Sequence, residues 1–186
     1  MSVSLTDIVT KTRFLIEDNS KSTEDVFSYT TSSVFSLEES NPISVSLVYK
    51  NDVELDSGDW SYDSDTEKVT VTASLSSGDT IKISYSYYPN YTDSEIQNYI
   101  QGALVYISAD NYRTWVVRDS TIYPEPLIRE QNLIALITAL VIDKPINTYR
   151  LPDITLTFPD DLPLQEKISK TISIFKRNKT GEFFVA

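Results

Sequence analysis

Thr80-Ile81-Lys82-Ile83-Ser84-Tyr85-Ser86-Tyr87-Tyr88-Pro89-Asn90-Tyr91-Thr92-Asp93-Ser94-Glu95-Ile96 contains the change of period on which the fold turns. Up to Tyr87 the apolar residues Ile81, Ile83, Tyr85 and Tyr87 alternate with Lys82, Ser84 and Ser86, the period-two pattern of a strand with one wet face. Pro89 closes that strand, and Thr92-Asp93-Ser94-Glu95 reads as a capping box. Beyond it Ile96, Tyr99, Ile100, Ala103, Leu104 and Ile107 recur at helical spacing.

Moving toward the N-terminus, the alternation persists. Ile43, Val45, Leu47 and Tyr49 form one set, and Val69, Val71 and Ala73 another. Asn51-Asp52, Ser57-Gly58-Asp59, Asp63 to Thr66 and Ser77-Gly78-Asp79 supply turn chemistry between them. Residues 26–88 therefore read as an inserted antiparallel β-sheet module of roughly five to seven strands. Ahead of it, Leu5, Ile8, Val9, Thr12, Leu15 and Ile16 share one helical face, with Ser4 and Asp7 as a cap. That helix is expected to reach about Asp18 and to end in the polar stretch Asn19 to Glu24.

Toward the C-terminus, a third helix is expected from Glu125-Pro126 to Asp143, apolar nearly all round between Leu133 and Ile142. Pro145 ends it, and Ile154, Leu156 and Phe158 alternate as a short extended arm. Asp161 reads as the cap of a fourth helix with Leu164, Ile168, Ile172 and Phe175 inward, stopped at Gly181. The expected fold class is α+β. An α-helical bundle of about four helices (residues 1–25 and 89–186, with a C-terminal tail) carries the inserted β module (26–88), because a lone amphipathic helix cannot bury its own face.

Composition narrows function. Among 186 residues there is no Cys and no His. Thiolate catalysis, imidazole-based triads and most structural zinc sites are thereby excluded. The reading is of a protein that is not an enzyme and needs no cofactor or metal. A net charge of -11 opposes broad contact with nucleic-acid phosphates. The run Leu133 to Ile142 is ten residues, too short to span a bilayer. With no secretory pattern at Met1-Ser2-Val3-Ser4, a soluble protein made and used in a cytoplasm is expected.

Charge is uneven: 14 acidic against 4 basic residues from Glu17 to Tyr87, but 5 basic against 2 acidic from Leu164 to Ala186. Solvated loops and helix-dipole complementation account for much of this. A tail that docks on an acidic partner is the sharper alternative. Phe183, Phe184 and Val185 are large apolar residues, suited either to folding back on their own unit or to anchoring in a partner's pocket.

Other candidates are weaker. Asp52, Asp56, Asp59, Asp63 and Asp65 could hold Ca²⁺, yet their spacing matches no EF-hand loop and Asp is a common turn former. Glu38, Glu39, Asp59 and Asp63 could be paired as glycosidase carboxylates, with nothing marking a pair. Trp60, Tyr62, Tyr85, Tyr87 and Tyr88 could stack a sugar, though cross-strand packing is the plainer account. Arg113 and Arg118 flank Trp115 and could touch a nucleic-acid backbone or a neighbouring subunit, or simply pack a connection.

The succession of an N-terminal helix, Tyr91-Thr92-Asp93-Ser94-Glu95-Ile96 through Ala103, the apolar helix Leu127 to Ile142 and a last amphipathic helix with a tail resembles the head–tail adaptor (connector) proteins of tailed bacteriophages. The strands Ser44 to Asn51, Trp60 to Asp63, Val69 to Val71 and Ser77 to Tyr85 are similar to a β module of phage virion proteins. The resemblance implies a structural protein of the virion at the head–tail junction. It implies a homo-oligomeric ring of about twelve subunits between the portal protein and a downstream neck or tail protein. DNA would pass without specific binding, and no membrane would be engaged. It also makes Lys176, Arg177, Phe183, Phe184 and Val185 the portal contact. Another neck, baseplate or decoration subunit, or a carbohydrate-binding module, is the alternative.

Overall fold

The Ser4 hydroxyl accepts from the Asp7 amide at 3.4 Å, and the Asp7 carboxylate accepts from the Ser4 amide at 3.1 Å. This reciprocal cap opens α1 (Leu5–Leu15). The computed structural model describes residues 4–142, 147–151, 154–159 and 161–177. The chain divides into two compact units, Asp18–Thr92 and Met1–Glu17 with Asp93–Ala186.

The first of these units is all sheet. Its strands are β1 (Lys21–Ser28), β2 (Val34–Ser36), β3 (Pro42–Lys50), β4 (Val53–Glu54), β5 (Trp60–Asp63), β6 (Lys68–Val71) and β7 (Thr80–Tyr87). They form two antiparallel sheets, ordered β1-β7-β3-β4 and β2-β6-β5. Strand β7 lies between β1 and β3, and its alternation puts Ile81, Ile83 and Tyr85 on one face. With Val48 they meet Phe35, Val69 and Val71 of the other sheet in one core. Each such fully buried side chain stabilises by about 1.5–3 kcal/mol, which is why this register resists a one-residue slip.

Strand β1 begins inside the polar stretch Asn19 to Glu24, in which the first helix was expected to end. Its inward face is Thr23, Asp25 and Phe27, opposite Tyr85, Ile83 and Ile81. Only one of the three is a large hydrophobe, so the strand has no apolar alternation of its own. Pairing to β7 makes it a strand.

The second unit contains α1, α2 (Asp93–Ala109), β8 (Val116–Arg118), β9 (Thr121–Tyr123), α3 (Ile128–Val141), β10 (Thr148–Leu151), β11 (Ile154–Thr157) and α4 (Leu164–Arg177). Every residue of α3 from Leu133 to Leu140 is buried, and α1, α2 and α4 all pack on it. Among the described residues no helix is long and apolar enough to cross a membrane.

The expected helical bundle with a single β insertion is overturned. The described residues contain four helices and eleven strands in four sheets, about 34% helix and 31% strand, a mixed α+β chain rather than a helical bundle. Two of those sheets, β8-β9 and β10-β11, lie in the unit read as a helical bundle with one short extended arm. Residues 110–124 read as a connection and Ile154 to Phe158 as a lone arm, because strands of three or four residues are too short to show a period. The fourth helix opens at Pro163, whose carbonyl accepts from the Glu166 and Lys167 amides, both at 3.0 Å. Asp161 is therefore not its cap.

The β8-β9 turn places Asp119 and Ser120 at φ 47° and 57°, the left-handed pair a two-residue hairpin loop demands. The Ser120 carbonyl accepts from the Leu5 amide at 2.9 Å, tying the start of α1 to this hairpin. Ser120→Gly removes a Cβ from a left-handed position without touching that bond. It should raise stability by up to about 1 kcal/mol, read as a higher denaturant midpoint at unchanged slope.

Candidate functional site

Most charged and aromatic candidates of the sheet unit are consumed by its own fold. Asp63 accepts from the Asp65 amide at 2.9 Å and the Thr66 hydroxyl at 2.9 Å. These bonds hold its carboxyl below the usual range, the Thr66 hydroxyl contributing most. Asp52 lies 3.7 Å from Lys82. Among the described residues no three His, Cys, Asp or Glu gather as a metal site. Trp60, Tyr62 and Tyr87 are half-buried, packed against the core that contains Tyr85.

Glu38 and Glu39 contribute backbone amides to this core, and the Glu39 carboxylate bonds the Tyr87 hydroxyl. The Glu38 amide donates to Asp25 at 2.8 Å, and the Glu39 amide donates to the Tyr85 hydroxyl at 3.0 Å. That hydroxyl donates in turn to Asp25 at 2.9 Å. Burial pushes the Tyr85 phenol up to about 12, with the Asp25 carboxylate adding to the effect, so at neutral pH it remains a donor. The network closes the core where β1 meets the β2–β3 connection.

A second lock joins two turns. Asp79 accepts from the Ser76 amide at 2.7 Å and from the Asn51 amide group at 2.7 Å, and lies 3.0 Å from the Lys50 ammonium. These donors, the Ser76 amide first, hold its carboxyl down at about 2.

In the helix-containing unit the conspicuous feature is apolar surface. Phe14 is 60% exposed, Leu127 69% and Ile128 70%. Phe14 and Ile128 wall a groove of about 580 Å³ whose other lining residues are Thr10, Lys11, Asn132, Arg150 and Leu151. Lys11 is held at its rim by Gln131 at 3.1 Å and Asn132 at 2.9 Å. Arg150 is exposed and pairs with no acidic side chain among the described residues. None of these residues stood out in the sequence. The available signal was Phe14, a large apolar side chain off the buried stripe of α1.

The basic candidates are partly spent. The Lys176 ammonium bonds the Asp110 carbonyl and lies 3.0 Å from its carboxylate, joining the C-terminal ends of α4 and α2. Arg177 is exposed beside Leu156, Phe158 and Ile174. Phe183, Phe184 and Val185 lie outside the described residues. Arg113 grips buried Glu130 at 2.7 Å and covers the Trp115 ring at 5.5 Å. Its role is internal, whereas Arg118 is exposed. The Trp115 indole N–H is buried with no hydrogen-bond partner, a defect that costs about 1–3 kcal/mol.

No protein-family model matches the chain, and no curated protein matches it in sequence.

Two outcomes test the sheet unit. Tyr85→Phe removes one of the two donors to the Asp25 carboxylate, leaves the Glu38 amide on it, and takes the acceptor from the Glu39 amide. It should cost about 1–3 kcal/mol in denaturant unfolding. Because the folded Asp79 carboxyl sits below its ordinary 3.8, its contribution is complete above that value and lost as pH falls through about 2. Asp79→Asn should flatten the acid limb of the stability curve there, and carboxyl NMR should place the wild-type midpoint near 2.

Proposed function

We propose that this chain is a structural protein of the tailed-phage virion, a head–tail adaptor assembling side to side into a ring of about twelve copies. The ring would sit between the portal protein and the next neck or tail protein. The observation that carries the reading is the exposed apolar surface of Phe14 and Ile128, which wall one groove, with exposed Leu127 next to Ile128 in sequence. Two large apolar side chains exposed on the walls of one groove form the kind of patch that another protein covers. The helical layout that suggested the family is corrected by the two added hairpins, so the weight rests on this surface.

The distribution of charge fits the same role. The acidic excess between Glu17 and Tyr87 would repel DNA phosphates, which suits a component that the genome passes without sticking. With Lys176 engaged by Asp110, portal docking falls to Arg177 and the apolar Phe183, Phe184 and Val185.

Light scattering on the purified chain, alone and mixed with portal rings, tests this. The expected result is a discrete large complex with the portal that disappears when residues 179–186 are removed. Normal portal binding by the shortened chain would refute the tail contact. A strict monomer indifferent to every portal would refute the adaptor reading and favour another neck, baseplate or decoration subunit.

A further inference from the structure

Two exposed surfaces, one in each unit, are apolar at the centre and opposite in charge. The first is the groove walled by Phe14 and Ile128. Arg150 stands in its lining, exposed and with no acidic partner among the described residues. Large hydrophobes thus lie beside a guanidinium that no described carboxylate neutralises.

The second is the solvent face of the sheet β1-β7-β3-β4. The alternation that sends Asp25, Val48 and Ile83 inward sends Glu24, Val26, Leu47, Tyr49 and Lys82 outward. Glu54 of β4 pairs in register with Tyr49 and shares that face. Val26 and Leu47 are exposed apolar side chains. Acids outnumber bases here. Lys82 lies 3.5 Å from Glu24 and 3.7 Å from Asp52, while exposed Glu54 has no basic partner among the described residues.

We propose that the groove of one copy receives this outer sheet face of a second copy. Arg150 meets Glu54 of the next copy, and Phe14 and Ile128 lie over its Leu47 and Tyr49. Charge selects the second copy's sheet face over its groove, because two grooves would bring cation to cation and two sheet faces acid to acid. The contact is head to tail. Each docked copy still offers one free groove and one free face, so the contact repeats until a ring closes.

Sedimentation of the full chain at rising concentration, with no portal present, tests the contact. Wild type should pass from monomer to complexes larger than a dimer. Arg150→Glu or Glu54→Arg alone sets like charges together and should weaken association at least about tenfold. Both changes in one chain restore opposite charges and should recover wild-type association, a rescue that a misfolded variant cannot give. Because both side chains are exposed, all three variants should keep the wild-type denaturant midpoint. If a single variant misfolds, Ile128→Asp replaces it, at a position 70% exposed, and should leave the chain monomeric. A wild type that stays monomeric, a folded single variant that associates normally, or a double variant that stays dissociated would each overturn the contact. The inference rests on the ring reading, and portal binding separates the two. A chain that binds portal rings yet fails the charge swap keeps the adaptor role and loses this contact. A rescued swap in a chain that ignores every portal keeps the contact and loses the role.

Discussion

The burial of α3 on every face is the constraint from which the helix-containing unit follows. A helix whose residues Leu133 to Leu140 all avoid water cannot lie on a surface. It has to be enclosed, and α1, α2 and α4 enclose it. Helix α1 comes from the far side of the sheet unit in sequence, so the chain must leave after Glu17 and return at Asp93 to complete one core. The buried Arg13 guanidinium marks that closure, 2.7 Å from Asp93 at the start of α2.

The sheet unit depends in the same way on β7. Its neighbours differ greatly in how much they reveal alone. Strand β3 alternates visibly, whereas β1 presents Lys21, Ser22, Thr23, Glu24 and Asp25 before its first hydrophobe. A polar strand at the edge of a sheet is a protection against pairing with other chains, and an inward-facing acid is one form it takes. Asp25 is that acid here, and it is tolerated because the Glu38 amide and the Tyr85 hydroxyl satisfy it.

Much of the fold was legible wherever a period ran long enough to count. The strand at Thr80–Tyr87 and the helix at Asp93–Ala109 follow from one stretch, and the Ser4–Asp7 cap from four residues. The hairpins β8-β9 and β10-β11 were not legible, and with them the bundle reading failed. Their strands have three or four residues, and Asp119-Ser120 lacks the glycine that usually marks such a turn. The candidate site was legible only as residue types. Lys176 read as a complement to the helix dipole or a portal contact, and the structure adds a bond to Asp110, 66 positions away.

The sequence by itself determined the periods, the capping chemistry, the acidic excess of the sheet unit and the lack of imidazole and thiol. These are local or additive properties, carried by each residue whatever its neighbours in space. Only the tertiary structure decided that β1 is a strand and that Arg113 belongs to Glu130. It alone decided that Phe14 and Ile128 stand exposed on two sides of one groove. Each of these depends on residues brought together from distant parts of the chain. Burial and pairing are properties of that meeting rather than of either partner.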